Sequence, residues 1–205
     1  MVGQMIDASI VPVPRQRNRR DGNAAIKAGE TPEGCDEQPA KRRRKDADAR
    51  WTKKHGKSHY GYKNNFNVDR RHKLIRRYTV TDATVHDSQT LDESNTASDI
   101  WVDSAYRSAE TEAKLADRGL RSRIHRKAHR NRALSKREQQ GNTTRSKTRA
   151  RVEHVFGAQM NDMGGTLVRG IGIARAKARI GLKNLAYNMR CALHLDALFG
   201  GQAAN

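Results

Sequence analysis

Cysteine and long apolar runs are both scarce in this sequence. Its two cysteines, Cys35 and Cys191, lie far apart without a pairing pattern, which argues for a reducing compartment and against a disulfide scaffold or a cysteine-rich zinc site. No apolar run reaches the roughly 18 residues of a membrane span. Residues 1–11 lack the basic and apolar regions of a signal peptide. We therefore expect a cytoplasmic protein without a membrane partner.

Aromatic residues are also few. They make up 5% of the 205 residues, and hydrophobic residues make up 35%. Such a chain can bury one core but not two, since domains usually contain about 100–200 residues. We expect one domain over residues 1–195, followed by a disordered tail over 196–205.

Acidic residues fall well short of basic ones. The chain has 41 Lys and Arg against 22 Asp and Glu, a net charge of +19, which favours a polyanionic partner such as nucleic acid. Residues 61–120 contain 9 basic and 10 acidic side chains, whereas residues 121–205 contain 18 and 4. A protein that binds divalent cations in its middle third and phosphates elsewhere needs this distribution. Chance segregation with a solvated basic tail explains it equally well.

All four prolines of the chain lie within residues 12–57. Basic clusters occur there at 15–20 and 41–45, and no helical or alternating pattern persists. The composition predicts a long, flexible or disordered basic insertion after the first strand. Its basic clusters either contact phosphates or belong to an ordinary solvated loop.

Alternation and β-branched residues predict the strands. Residues 5–11 are β-branched and apolar, residues 60–68 place Tyr and Phe on one parity, and residues 74–80 complete a hairpin. Short strands follow at 100–103 and 122–125. Ser108 is a suitable N-cap for a helix between these two strands.

The C-terminal third is predicted to be helical apart from a polar, basic loop over 126–147. Helices are expected at 148–160 and 174–195, and the second carries Arg175, Arg179 and Lys183 on one stripe. That stripe is either a DNA-binding face or a solvated one. The whole order of elements predicts an α/β fold of the ribonuclease-H-like kind, a mixed sheet with flanking helices.

Three carboxylates stand out by position. Asp7 lies within the first strand, Asp103 ends the strand at 100–103, and Glu153 lies on the helix that begins near residue 148. Mg²⁺ takes oxygen ligands, and a pair of such ions promotes phosphoryl transfer by activating the attacking oxygen and stabilising the leaving one. By pattern alone, Asp7 is equally well explained as an edge-strand or turn residue, and Asp103 as the cap of the turn before Tyr106. Glu153 with Arg149 is equally well explained as a common i, i+4 ion pair.

Several motifs resemble those of the DDE transposases of bacterial insertion sequences, and more closely the family of insertion sequence five. The two central motifs are WVDSAYRS at 101–108 and RARVEHVFG at 149–157. Further matching segments, in the same order along residues 3–195, are IDASIV at 6–11, YGYK at 60–63, VTDATVHDS at 80–88 and GLKNLAYN at 181–188.

The resemblance implies a catalytic site and its ligands. Asp7, Asp103 and Glu153 take the places of the three catalytic carboxylates, which would hold two Mg²⁺ or Mn²⁺ ions on a ribonuclease-H-like fold. Arg149 matches the arginine of the related signature Y-x2-R-x3-E-x6-K. Ser146 and Met160 stand at that signature's tyrosine and lysine positions, so the sequence departs from it there.

The resemblance also implies partners. Transposon ends and target DNA are the expected substrates, with assembly as a homo-oligomer in the transposition complex. Basic residues near the carboxylates and on the last helix are the candidate DNA contacts: Arg145, Arg149, Arg151, Arg175, Arg179 and Lys183.

Family members carry a helical N-terminal region that helps to recognise transposon ends, and Asp7 lies close to the start of this sequence. We therefore expect a catalytic domain that is either a truncated copy or the product of a split reading frame. Two functions remain open: a metal-dependent transposase, and a defective fragment that only binds DNA nonspecifically. A basic RNA-binding protein fits the charge but explains neither Asp7 nor the neutral middle third.

Overall fold

A computed structural model describes residues 3–35, 37–54, 56–90 and 99–199. The strands are β1 (Gln4–Pro12), β2 (Arg50–Lys54), β3 (Lys57–Asp69), β4 (Ile75–Asp82), β5 (Asp99–Trp101) and β6 (Arg121–Ser122). The α-helices are α1 (Arg20–Ala28), α2 (Pro39–Arg43), α3 (Ala109–Asp117), α4 (Lys136–Arg149), α5 (Glu153–Gly157) and α6 (Ile173–Phe199). Short 3₁₀ turns occur at Asp87–Thr90, Ser104–Tyr106 and Ala150–Val152, and a π-turn at Ala158–Asp162 follows α5.

The six strands form one mixed sheet. Its order is β2-β3-β1-β5-β6, with β4 paired to β3. β3 is antiparallel to β1, β2 and β4, whereas β5 is parallel to both β1 and β6. The mixed α/β sheet with flanking helices agrees with the fold class predicted from the sequence.

The two faces of the sheet bury different apolar clusters, because neighbouring residues of a strand point to opposite faces. Met5 packs with Phe66 and Tyr187 on the face covered by α5 and α6. Ile6 packs with Ile100 and Leu115 on the face covered by α3. Ser108 caps α3 as predicted, since its side chain accepts a hydrogen bond from the Thr111 N–H.

Residues 12–57 differ from the disordered basic insertion predicted after the first strand. The segment contains α1, α2 and β2. It joins the core through the buried side chains of Val13 and Ala49, through the pairing of β2 with β3, and through the buried carboxylate of Asp46. Asp46 accepts hydrogen bonds from the Tyr62 hydroxyl at 2.7 Å, from the Ala49 N–H at 3.0 Å and from the Gly172 N–H at 3.2 Å. The composition of the segment indicated a loop, because Tyr62 and Gly172 lie far from Asp46 in sequence.

Two C-terminal predictions also need correction. Residues 136–149 form α4 and not a loop. The helix begins with a capping box of Ser135 and Glu138, and no α4 residue is buried, so no apolar period marks it in the sequence. The helix α6 continues to Phe199, into the range predicted to be a disordered tail, and residues 200–205 lie outside the described part of the chain.

Candidate active site

Asp7 lies in the middle of β1, where its side chain is almost buried. Its Oδ1 accepts a hydrogen bond from the Ala8 N–H at 2.9 Å, and its Oδ2 accepts one from Arg149 Nη2 at 2.9 Å. A carboxylate in a central strand loses hydration, and these two charge-stabilising donors offset that loss.

Asp103 comes to the same place through strand register. β1 and β5 are parallel neighbours, with Met5 paired to Trp101, and each aspartate follows two residues after its member of the pair. The Asp103 carboxylate accepts a hydrogen bond from the Ser104 N–H at 2.5 Å and thereby caps the 3₁₀ turn. Its side chain remains 46% exposed, so it is accessible to a ligand.

Glu153 reaches the same cleft from the helical layer. It is the first residue of α5 and is exposed, while Val152 and Val155 on either side are fully buried against the sheet. These two valines fix the helix and leave the glutamate facing outward. The cleft, with a volume of about 860 Å³, is lined by all three carboxylates.

Arg149, the last residue of α4, lies between two of the carboxylates. Its guanidinium is 2.9 Å from Asp7 and 3.7 Å from Asp103. Burial by itself lowers the pKa of Arg149, but the charges of Asp7, Asp103 and Glu153 and the hydrogen bond to Asp7 raise it above its ordinary value. The three carboxylates at this end of the cleft therefore stabilise the positive charge of Arg149.

Four further residues that line the cleft were missed by sequence reasoning. They are Lys54, Lys57 and His59, from the β2–β3 hairpin, and Asp87. Asp87 forms an ion pair with Lys63 at 2.8 Å. The hairpin was hidden because β2 falls in the segment predicted to be disordered, and only the excess of lysine at 53–57 marked it.

The cleft offers carboxylate oxygens, the donors that Mg²⁺ prefers. Within the described residues, however, no group of three or more His, Cys, Asp and Glu is close enough to hold a metal ion. The guanidinium of Arg149 lies between two of the carboxylates, Asp7 and Asp103. Carboxylate oxygens suit a divalent cation. The space between Asp7 and Asp103 also holds a cation in this structure, the guanidinium of Arg149.

The other predicted DNA contacts lie in different surroundings. Arg175 and Arg179 are exposed on α6, and Arg151 is exposed near the Arg70 carbonyl, which lies 3.5 Å from its Nη1. Lys183 donates hydrogen bonds to the carbonyls of Met163 and Gly165, so its ammonium holds a turn.

Arg145 is half-buried on α4, away from the carboxylates of the cleft. Burial lowers its pKa, and the neighbouring charges of Arg126, Arg123 and Arg107 lower it further. Arg145 therefore belongs to a positively charged cluster, the kind of surface that attracts phosphates.

Comparison with known proteins decides the family. The family model described as a transposase DDE domain matches residues 1–189. The chain belongs to the DDE transposases. It is similar to the transposase for insertion sequence element IS1106 of Neisseria meningitidis serogroup B, with 28% identity over 193 residues. The match covers 90% of this transposase chain and 63% of that relative.

No solved structure shows significant similarity to this transposase domain. The family implies a divalent metal ion, generally Mg²⁺, and Asp7, Asp103 and Glu153 are the residues whose convergence suits it. None of the helices within the described ranges is long and apolar enough to cross a membrane.

Proposed function

We propose that this domain catalyses the metal-dependent cleavage and strand transfer of an insertion sequence. The observation that supports the proposal is the convergence of Asp7, Asp103 and Glu153, from two strands and a helix, on one cleft. The narrower assignment to the family of insertion sequence five rests on the sequence motifs and belongs to the proposal as well.

In the proposed reaction, water attacks the phosphodiester at a transposon end and releases a 3′-hydroxyl, which then attacks a phosphodiester of the target DNA. Asp7, Asp103 and Glu153 would hold Mg²⁺ or Mn²⁺. The chemistry that such ions supply when bound is activation of the attacking oxygen and stabilisation of the leaving one.

The remaining charged residues of the cleft would position the DNA. Lys54, Lys57 and His59 line the same cleft as the carboxylates and would contact backbone phosphates without reading sequence. Arg149 pairs with both Asp7 and Asp103 and holds their carboxylates in one arrangement. Transposon ends and target DNA are the proposed partners, bound by a homo-oligomer in the transposition complex.

The test is nicking and strand transfer on oligonucleotides that carry the element's own ends, with Mg²⁺ or Mn²⁺ and with EDTA. Asp103→Asn should abolish both reactions, because it removes one of the proposed metal-binding carboxylates. The rate constant depends exponentially on the stabilisation of the transition state, so such a loss has a large effect. Asp117→Asn is the matched control, because this exposed aspartate at the end of α3 lies outside the cleft.

Activity of Asp103→Asn at the level of the control would contradict the catalytic assignment. If the unaltered domain binds DNA and never nicks it, the alternative of a defective, nonspecific DNA-binding fragment is supported. The affinity of such a fragment should fall steeply with salt, because charge neutralisation supplies nearly all of nonspecific binding.

A further inference from the structure

A second cavity lies on the other side of α5 from the catalytic cleft. It has a volume of about 470 Å³ and lies between the turn that follows β3, the helix α5 and the C-terminal half of α6. Its basic and imidazole lining residues are Arg71, His72, Lys73, His154, Arg190 and His194. None of them is among the DNA contacts predicted from the sequence. We call this cavity the basic pocket.

The lining of the basic pocket is electrostatically one-sided. No carboxylate is among its described lining residues. One lining residue, Arg190, forms an ion pair with a negative charge outside the lining: the Asp162 carboxylate lies 2.8 Å from its Nη2. Both partners are about half exposed, and exposed pairs of this kind contribute little and leave the cation available. Arg71 and Lys73 have no ion pair with a described residue.

The basic pocket is also preorganised. The Tyr187 hydroxyl donates a hydrogen bond to the Lys73 carbonyl at 3.1 Å and fixes the turn against α6. Asn188, the next residue of α6, accepts from the Ile75 N–H at 2.8 Å and donates to the Ile75 carbonyl at 2.7 Å. These contacts hold the backbone under Arg71 and Lys73 against α6, so little backbone freedom is lost when an anion binds.

The basic pocket adjoins the catalytic cleft. Glu153 lines the cleft and His154 lines the pocket. Consecutive residues of an α-helix point about 100° apart, so the cleft and the pocket open on different faces of α5. Arg151 approaches the Arg70 carbonyl and connects the start of α5 with the turn that forms the pocket wall.

The chemistry of the pocket favours a phosphate ester over a metal ion. Imidazoles are metal ligands, but no described cluster of His, Cys, Asp and Glu is suited to hold a metal. Guanidinium and ammonium groups recognise phosphates, and the pocket's Leu195 and Leu198 provide an apolar floor for the sugar. We propose that the basic pocket binds the backbone of the DNA strand that passes through the catalytic cleft. This inference rests on the proposed function.

The first test measures DNA binding by fluorescence anisotropy in EDTA, so that catalysis plays no part. The double variant Arg71→Gln/Lys73→Gln should lower the salt slope of binding by about 2, since each phosphate contact contributes about 0.9. Between about 50 and 200 mM salt, the unaltered domain should then lose roughly tenfold more affinity than the variant.

The matched control is Lys27→Gln/Arg118→Gln, which removes the same charge from an exposed position of α1 and from the exposed residue that follows α3. Its salt slope should equal that of the unaltered domain. Equal slopes for the pocket variant and this control would overturn the proposal, whether or not the domain nicks DNA. Loss of nicking in Asp103→Asn tests only the catalytic proposal, so the two failures are distinguishable.

The second test uses Cys191, which is half-buried and lines the basic pocket, whereas Cys35 is buried. Saturating DNA should slow the reaction of Cys191 with a thiol reagent several-fold, and inorganic phosphate at matched ionic strength should not. An unchanged rate with DNA would contradict the proposal. Equal protection by inorganic phosphate would also overturn it, since the pocket would then be a site for small anions.

Discussion

At Arg149, one guanidinium meets two of the three carboxylates of the cleft. Arg149 and Asp7 are 142 positions apart in sequence, and their ion pair joins the end of α4 to the central strand β1. The sequence marked Arg149 as a DNA contact through the family resemblance, and as a helical partner of Glu153 through local spacing. In the structure, its closest ionic partners are the aspartates of the sheet.

Arg149→Ala should lower the free energy of unfolding by about 1–3 kcal/mol in EDTA, because the nearly buried Asp7 carboxylate then lacks its charged partner. Adding Mg²⁺ should raise the melting temperature of this variant more than that of the unaltered domain, since a divalent cation no longer competes with the guanidinium. Urea unfolding and thermal melts followed by circular dichroism measure both effects.

Arg151→Ala is the control for this substitution, since it removes an exposed guanidinium two positions along the chain. Its stability should change by no more than about 0.5 kcal/mol, as for most surface substitutions. An equal response of both variants to Mg²⁺ would show that Arg149 does not compete with the metal.

At the scale of elements, residues 12–57 are held by few but buried contacts. Asp46 gathers donors from the strand β3 and from the loop before α6, and Asp48 accepts a hydrogen bond from the Ile173 N–H at 2.8 Å. Through these contacts the segment supports β2, whose last residue, Lys54, lines the cleft. Proline and charge content alone could not reveal them, because most of the partner groups lie far from this segment in sequence.

Asp46→Ala should destabilise the domain by about 2–4 kcal/mol, because buried donors of Tyr62, Ala49 and Gly172 lose their acceptor. Proteolytic cleavage within residues 12–57 should accelerate in the same variant. Urea unfolding and limited proteolysis measure the two effects. Asp21→Ala, an exposed change on α1, should leave both nearly unaltered. Comparable effects of the two substitutions would contradict the anchoring role of Asp46.

The helix α4 depends on its N-terminal cap, since none of its side chains is buried. Ser135→Ala removes the acceptor for the Glu138 N–H, and we expect a loss of about 1 kcal/mol in local stability. Amide hydrogen exchange of α4 is the measurement. Thr144→Ala, in the middle of the same helix, should not lower protection, because alanine is the better helix former. Unchanged exchange in Ser135→Ala would show that other contacts hold the helix.

For the whole molecule, the burial of tyrosine predicts the behaviour at alkaline pH. Tyr60, Tyr62, Tyr106 and Tyr187 are buried, and Tyr78 is 44% exposed. Burial raises the pKa of Tyr60 to about 12, with a further rise from Asp46. Burial likewise raises the pKa values of Tyr62, Tyr106 and Tyr187.

These shifts give the sign of the pH dependence. The folded-state pKa lies above the unfolded value of about 10, so the protonated phenols stabilise the fold fully below that pH. The stabilisation is lost as pH rises from about 10 towards 12. In a titration followed at the phenolate absorbance, we expect the four buried tyrosines to ionise together with loss of the circular dichroism signal. Ionisation of all five tyrosines before unfolding would contradict the buried arrangement.

Charge distribution is the part of the whole molecule that the sequence described well. The excess of basic residues after residue 120 is visible in the chain itself. The structure divides it into groups with different surroundings. Arg149 pairs with carboxylates, Lys183 holds a turn, and Arg190 lines the basic pocket. A count of charges predicts affinity for a polyanion, but only packing decides which cations remain available to bind one.

By itself, the sequence determined the strands β1, β3 and β4, the capped helix α3 and the three candidate carboxylates. Alternation, capping and motif spacing act over a few residues, so they are legible along the chain. Only the tertiary structure decided that Asp103 lies beside Asp7, that Arg149 joins them and that the segment after β1 contains α1, α2 and β2. These features depend on strand register and on buried contacts between distant segments, which local sequence does not encode.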